Sequence, residues 1–242
     1  MKAVSVEDLS FSYGKDLVLE NVSLDVEHGD FIGVVGPNGS GKTTLMKNIL
    51  GLLTPSKGSV QVYGKNPKKA HKQGLVGYVP QHYKRDEHFP ATVKELLGSS
   101  YNSNSSQNLS ELFDEFGVKG LENKKFESLS GGQQQKVVTT MALSNDPKLL
   151  ILDEPSVGVD VGSQKVFYDY LKKINDEQGI TVMVISHDIG AISKHTRKAV
   201  YLNKSVCCRS KTSDLPKVLE ETYGEDFRHY SHAGHSDKHG GK

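Results

Sequence analysis

One octapeptide, Gly36-Pro37-Asn38-Gly39-Ser40-Gly41-Lys42-Thr43, constrains the fold more than any other stretch of this chain. It has the form GxxxxGK[ST], directly after the apolar run 31–35 and before the helical spacing of Leu45, Ile49 and Leu52 across 43–53. A phosphate chain is bound best by backbone N–H groups aimed inward from a loop with little side-chain bulk. The helix that follows adds its positive N-terminal dipole. In this arrangement Lys42 reaches the β- and γ-phosphates and the Thr43 hydroxyl ligates Mg²⁺.

A second stretch supplies what a phosphate loop lacks. Leu149-Leu150-Ile151-Leu152 reads as a buried strand, and it ends in Asp153 and Glu154. Carboxylates at the C-terminal end of such a strand sit where α/β sheets bind ligands. Asp153 is expected to hold hydrated Mg²⁺, and Glu154 to orient an attacking water or accept its proton.

The remaining pattern places these motifs in an α/β chain. Alternating positions from Val4 to Phe11 and again from Val18 to Val26, around the turn Tyr13-Gly14-Lys15-Asp16, predict short antiparallel strands. Strands are also expected at 58–63, 75–79 and 181–185. Helices are expected over 163–176, after Gly132, and around Val93-Leu96-Leu97 and Leu109–Phe116, with a Ser/Asn-rich connection at 99–108. Strand, helix, strand at this spacing is a parallel crossover. The expected architecture is an α/β P-loop core with an N-terminal antiparallel β subdomain and an inserted helical subdomain at about 84–145. The ATPase domain is expected to span 1–228, leaving 229–242 as a His-rich flexible tail.

With 242 residues, 30 Lys and Arg against 29 Asp and Glu, and 36% hydrophobic residues, the composition is globular and opposes a general nucleic-acid coat. No apolar run approaches the roughly 18–20 residues needed to span a bilayer, and the N-terminus has no hydrophobic leader. Cys207 and Cys208 are adjacent and cannot staple distant segments, which favours a reducing, cytoplasmic setting. Any membrane role then needs a partner.

Between the two nucleotide motifs lies Leu129-Ser130-Gly131-Gly132-Gln133, which resembles the signature of ABC ATPases. Tyr13, Gln81, Ser156-Val157-Gly158-Val159-Asp160 and His187 follow that family's order, so the resemblance runs from about Val4 to Tyr201. It implies ATP and Mg²⁺ as ligands, with the loop from Gly36 to Thr44 around the phosphates. Tyr13 would stack on adenine, Gln81 would touch Mg²⁺ or the attacking water, and His187 would contact the γ-phosphate. Ser130, Gly131, Gly132 and Gln133 would meet the ATP of a second subunit, and Asp160 would organise that interface. One motif set per chain implies a homodimer. Lys136, after Gln135, stands where many members carry arginine, and the stretch from Gln81 to the signature is short for a transporter subunit.

Finer features look like bacterial zinc and manganese importers: Phe89-Pro90-Ala91-Thr92-Val93, Glu154-Pro155-Ser156-Val157-Gly158-Val159-Asp160, and the segment from Leu202 to Cys208. The tail brings His229, His232, His235 and His239 close in sequence, a spacing that can gather Zn²⁺ on a flexible segment. The expectation is an ABC importer ATPase for a divalent metal, zinc first and manganese or iron as alternatives. It would sit at the cytoplasmic face of the membrane through permease subunits, served indirectly by an extracytoplasmic metal-binding protein. Two other classes are a soluble ABC ATPase acting on DNA or ribosomes, and a nucleotide-binding regulator that does not turn over ATP. Balanced charge, a single motif set and the lack of a long coiled-coil insertion oppose the first.

Overall fold

The computed structural model describes residues 1–81, 91–100, 113–114, 117–155 and 160–211. Strands β1 (Lys2–Tyr13) and β2 (Asp16–Glu27) form a hairpin, and β4 (Lys57–Val62) pairs with the other side of β1, giving an antiparallel sheet in the order β2-β1-β4. A second sheet runs β5-β6-β7-β3-β8-β9, from β3 (Phe31–Val35), β5 (Val76–Val79), β6 (Leu149–Asp153), β7 (Thr181–Ser186), β8 (Lys198–Asn203) and β9 (Ser205–Lys211). Its pairs from β5 to β8 are parallel, and β9 is antiparallel to β8. The helices are α1 (Lys42–Ile49), α2 (Pro67–Lys72), α3 (Val93–Ser100), α4 (Gly131–Leu143), α5 (Val161–Gln178) and α6 (Ile189–His195).

The central strands are buried on both faces, and their period of two sorts side chains into two cores. Ile32, Val34, Leu149, Ile151, Met183 and Ile185 face the antiparallel sheet and α1. Phe31, Val35, Leu150, Leu152, Val182 and Val184 face the opposite way, onto Phe167, Tyr168 and Leu171 of α5 and Ile192 of α6. A third, smaller cluster gathers Val93, Leu97, Phe113, Val118, Leu121, Leu129 and Val137 between α3 and α4.

Several elements differ from their sequence expectation. The N-terminal strands are 12 residues each rather than short, because bulges let the hairpin bend without breaking. Helix α1 stops at Ile49, not Leu53: Gly51 turns left-handed (φ 73°) and Leu52 N–H donates to Lys47 O at 2.8 Å. Leu52, spaced like a core residue, is therefore 61% exposed. Ser99 belongs to α3, its hydroxyl donating to Leu96 O at 2.8 Å. Helices α2 and α6 and strands β8 and β9 had no strong periodicity of their own. Residues 101–112, Phe89 and Pro90, Ser156 to Val159 and the histidine tail lie outside the described residues, as do the side chains of Cys207 and Cys208.

The two sheets are tied at the N-terminal edge of β7. Tyr63, just past β4, donates its hydroxyl to Lys148 O (2.8 Å) and lies 3.0 Å from Thr181 Oγ1 and 3.1 Å from His28 Nδ1. Thr181 Oγ1 in turn accepts from Gly29 N–H at 3.0 Å. Burial pushes the Tyr63 phenol above its ordinary pKa. Replacing Tyr63 by Phe strips this half-buried set of its shared hydroxyl and is expected to cost about 1–2 kcal/mol, measured by chemical denaturation of the nucleotide-free protein.

Candidate functional site

Sheet order decides which residues meet. Strand β7 lies between β3 and β6, with Val35 opposite Ser186 and Asp153 opposite Ile185, so the ends of three strands fall at one edge. The phosphate loop leaves β3 there, Asp153 and Glu154 leave β6, and Ser186 and His187 leave β7. Strand β5 beside β6 brings the exposed Gln81 to the same edge. This is the ligand-binding edge of an open α/β sheet.

Within the loop, the glycines are dictated mostly by the protein's own packing. A Cβ on Gly36 would lie 2.1 Å from Leu202 O of β8, and one on Gly41 (φ 97°) would lie 2.5 Å from Leu19 Cδ2. Only Gly39 (φ 80°) faces open space, with nothing within 4 Å, and it stands beside the exposed Asn38. Lys42 opens α1 and is nearly fully buried, its Nζ donating to Gly36 O at 2.8 Å and to Pro37 O at 2.9 Å. Burial lowers its pKa, while the charges of Glu154 and then Asp153 pull it back up. Among the described residues the buried Ser40 hydroxyl has no hydrogen-bond partner. A buried cation, an unpaired hydroxyl and an open glycine form a donor set suited to a polyphosphate.

The acidic side is equally buried. Asp153 is pushed above the ordinary carboxylate range, first by burial and second by Glu154, with Lys42 and Lys47 opposing. Tyr78 on β5 is pushed up to about 12, by burial first and then by the charge of Asp153. Glu154 is 8% exposed and adopts a left-handed backbone (φ 47°), uncommon for a residue with a side chain. Its Oε2 accepts from the Ser186 hydroxyl at 3.3 Å and lies 2.9 Å from His187 Nδ1. A carboxylate oxygen accepts only, so Nδ1 carries the hydrogen. That leaves Nε2 for a ligand, as a lone pair when neutral and as a second N–H when protonated. Hard oxygens from Asp153 and the exposed Thr43 suit Mg²⁺, which when bound supplies charge neutralisation at the phosphates.

The other expected residues occupy separate places. Tyr13 ends β1, is 47% exposed, and packs edge-on against Phe11 with centroids 4.9 Å apart. Ser130 caps α4 in a reciprocal box: its hydroxyl accepts from Gln133 N–H at 3.4 Å, and Gln133 Oε1 accepts from Ser130 N–H at 3.1 Å. Asp160 caps α5, accepting from Ser163 N–H at 3.0 Å, and hydrogen bonds from the Ser163 side chain first and its backbone second hold its carboxyl below the usual range. Helix α4 reaches α5 where a Cβ on Gly132 would lie 3.6 Å from Ser163 Cβ. Lys42, Asp153 and Glu154 thus act on one another through their charges and Glu154 meets His187 directly, whereas Tyr13, Ser130–Gln133 and Asp160 are carried by β1, α4 and the start of α5.

Sequence reading missed Ser186, whose contribution depends on register, and one broad signal. From residue 31 to 85 the chain carries nine Lys and Arg and not one Asp or Glu, a bias that favours anions around the loop. Among the described residues no group of three or more His, Cys, Asp or Glu could hold a metal ion, and no helix is long and apolar enough to cross a membrane.

A P-loop, an acidic strand end and a second glycine-rich helix start together define a nucleotide-hydrolysing domain. Residues 19–157 match the family described as ABC transporter, and the chain belongs to that family. It is 34% identical over 242 residues to a probable metal transport system ATP-binding protein of Thermotoga maritima, covering 95% of this chain and 96% of that one. It is 36% identical over 216 residues to the zinc uptake system ATP-binding protein ZurA of Listeria innocua, covering 85% and 84%. Among solved structures it resembles a dimeric post-hydrolysis ATP-binding cassette bound to ADP and phosphate, with TM-score 0.69 and 26% identity, covering 86% of this chain and 98% of that one.

The raised pKa of Asp153 carries a stability consequence. A carboxyl raised in the fold contributes stability below its unfolded pKa and loses it as pH rises through the folded value, so at pH 7 the ionised group opposes folding. Asp153→Asn is expected to raise the melting temperature of the nucleotide-free protein at pH 7. The same change should cut Mg²⁺-dependent ATP turnover by about a hundredfold, measured by phosphate release.

Proposed function

We propose that this chain is the ATP-hydrolysing subunit of an importer for a divalent metal ion, zinc in the first instance. The observation that carries the ATPase reading is the convergence of Lys42, Asp153, Glu154 and His187 at one sheet edge. Lys42 and the loop from Gly36 to Thr44 bind and orient the triphosphate. Asp153 and Thr43, with Gln81, hold Mg²⁺, and Tyr13 carries the adenine. Glu154, held by Ser186 and His187, accepts the proton of the attacking water. The metal cargo rests on likeness to the zinc and metal transport ATP-binding proteins; manganese or iron is the alternative cargo.

The working unit is a homodimer. The capped turn at Ser130, with the N–H groups of Gly131 and Gly132, is a helix start suited to an anion. It serves the nucleotide of the second copy, with Asp160 organising the contact. Neither half-site is complete alone. The ATPase domain takes residues 1–228, with a helical subdomain at about 84–145, and associates with the cytoplasmic face of the membrane through permease subunits. An extracytoplasmic binding protein delivers the metal. In this reading His229, His232, His235 and His239 form a flexible zinc-gathering tail outside the engine.

Cells lacking this chain should lose high-affinity uptake of radioactive zinc and regain it with wild type; unchanged uptake of zinc, manganese and iron alike would refute the cargo. Glu154→Gln should bind ATP with unaltered affinity yet hydrolyse it about a hundredfold more slowly, seen by fluorescent-nucleotide titration beside phosphate release. Truncation after residue 228 should leave basal ATPase within about twofold of the full chain, because the tail carries none of the nucleotide motifs, while lowering the number of zinc ions bound in equilibrium dialysis.

A further inference from the structure

We infer that Gln135 is a positioning residue for Glu154, joining the signature helix to the hydrolytic carboxylate through the carbonyl of Pro155. This deepens the reading of the site as an ATPase and depends on it.

Glu154 is held in an unfavourable backbone conformation (φ 47°), so something must fix it from both sides. On one side its N–H donates to Ile185 O at 2.8 Å, which anchors it to β7. On the other, Gln135 Nε2 of α4 donates to Pro155 O. Proline has a fixed φ and no N–H, so the unit from Glu154 to Pro155 has few ways to move, and one hydrogen bond to its carbonyl sets its orientation. Gln135 lies in the second turn of the helix whose first turn carries Ser130, Gly131 and Gly132. A shift of that turn is therefore passed by one side chain to the backbone immediately after Glu154.

A second observation separates Gln135 from an ordinary packing residue. Its Oε1 is buried and, among the described residues, has no hydrogen-bond partner. An unpaired buried acceptor weakens a fold, and an apolar side chain of similar size would avoid it. What an apolar residue cannot supply is the donor to Pro155 O. Gly132 also faces the first turn of α5, where an added Cβ would lie 3.6 Å from Ser163 Cβ. The signature helix thus reaches Pro155 through Gln135 and the first turn of α5 through Gly132.

The test compares Gln135→Glu with Gln135→Leu in the full chain, with ATP as the probe. Gln135→Glu replaces the donor by a carboxylate facing a carbonyl. At about pH 7.5 it should lower kcat by about ten- to a hundredfold while the KM for ATP stays within about twofold. Burial at this position raises the introduced carboxyl above its ordinary pKa of about 4.3, so lowering the pH to about 5 restores an O–H donor in part and kcat relative to wild type at the same pH should rise. Gln135→Leu should show the same loss at the higher pH without recovery. Its melting temperature should stay within a few degrees of wild type, because removal of the unpaired Oε1 offsets the stranding of Pro155 O. Wild-type turnover in either variant, or a loss in Gln135→Glu that ignores pH, overturns the role of Gln135. Absence of ATP turnover in wild type would instead overturn the ATPase reading.

Discussion

The Lys42 ammonium, 2.8 Å from Gly36 O and 2.9 Å from Pro37 O, is buried within the field of Asp153 and Glu154. Three ionisable groups removed from water at one sheet edge do not stabilise a fold; burial pushes the lysine down and the aspartate up. The arrangement is held by strands whose side chains are otherwise apolar and fully enclosed. Strand β6 has all five residues buried and ends on Asp153, so hydrophobic burial upstream anchors charge at the tip. A polyphosphate with its cation supplies the charges that this edge lacks.

Much of this was legible in the sequence because each motif is local. The phosphate loop needs eight consecutive residues, the acidic strand end needs six, and the capping box at Ser130 needs four. The switch from alternating to helical periodicity gave the fold class, and family membership rests on residues 19–157. What escaped depends on contacts between distant segments. The bond between Ser186 and Glu154 spans 32 residues, and the tie between Tyr63 and Thr181 spans 118. Leu52 looked like core by spacing, but the left-handed turn at Gly51 swings it outward. Gly36 and Gly41 looked like concessions to phosphate; Leu202 O and Leu19 Cδ2 already demand them.

The site is made in parts that sit on different elements. The loop, Asp153, Glu154 and His187 all leave strands of one sheet. The signature turn rides on α4, which packs partly in the cluster with Val93, Leu97 and Leu129 and partly against β5. An anion-binding turn on one body and a phosphate loop on another are suited to being bridged by a ligand between two copies. On the proposed reading, losing the terminal phosphate would remove the charge that bridges the two turns.

Sedimentation velocity of the Glu154→Gln protein, with and without magnesium and ATP, tests this split site most directly. If two half-sites close around nucleotide, the protein sediments as a monomer alone and as a dimer holding two nucleotides when ATP and magnesium are present. Sedimentation as a monomer with ATP bound would contradict it.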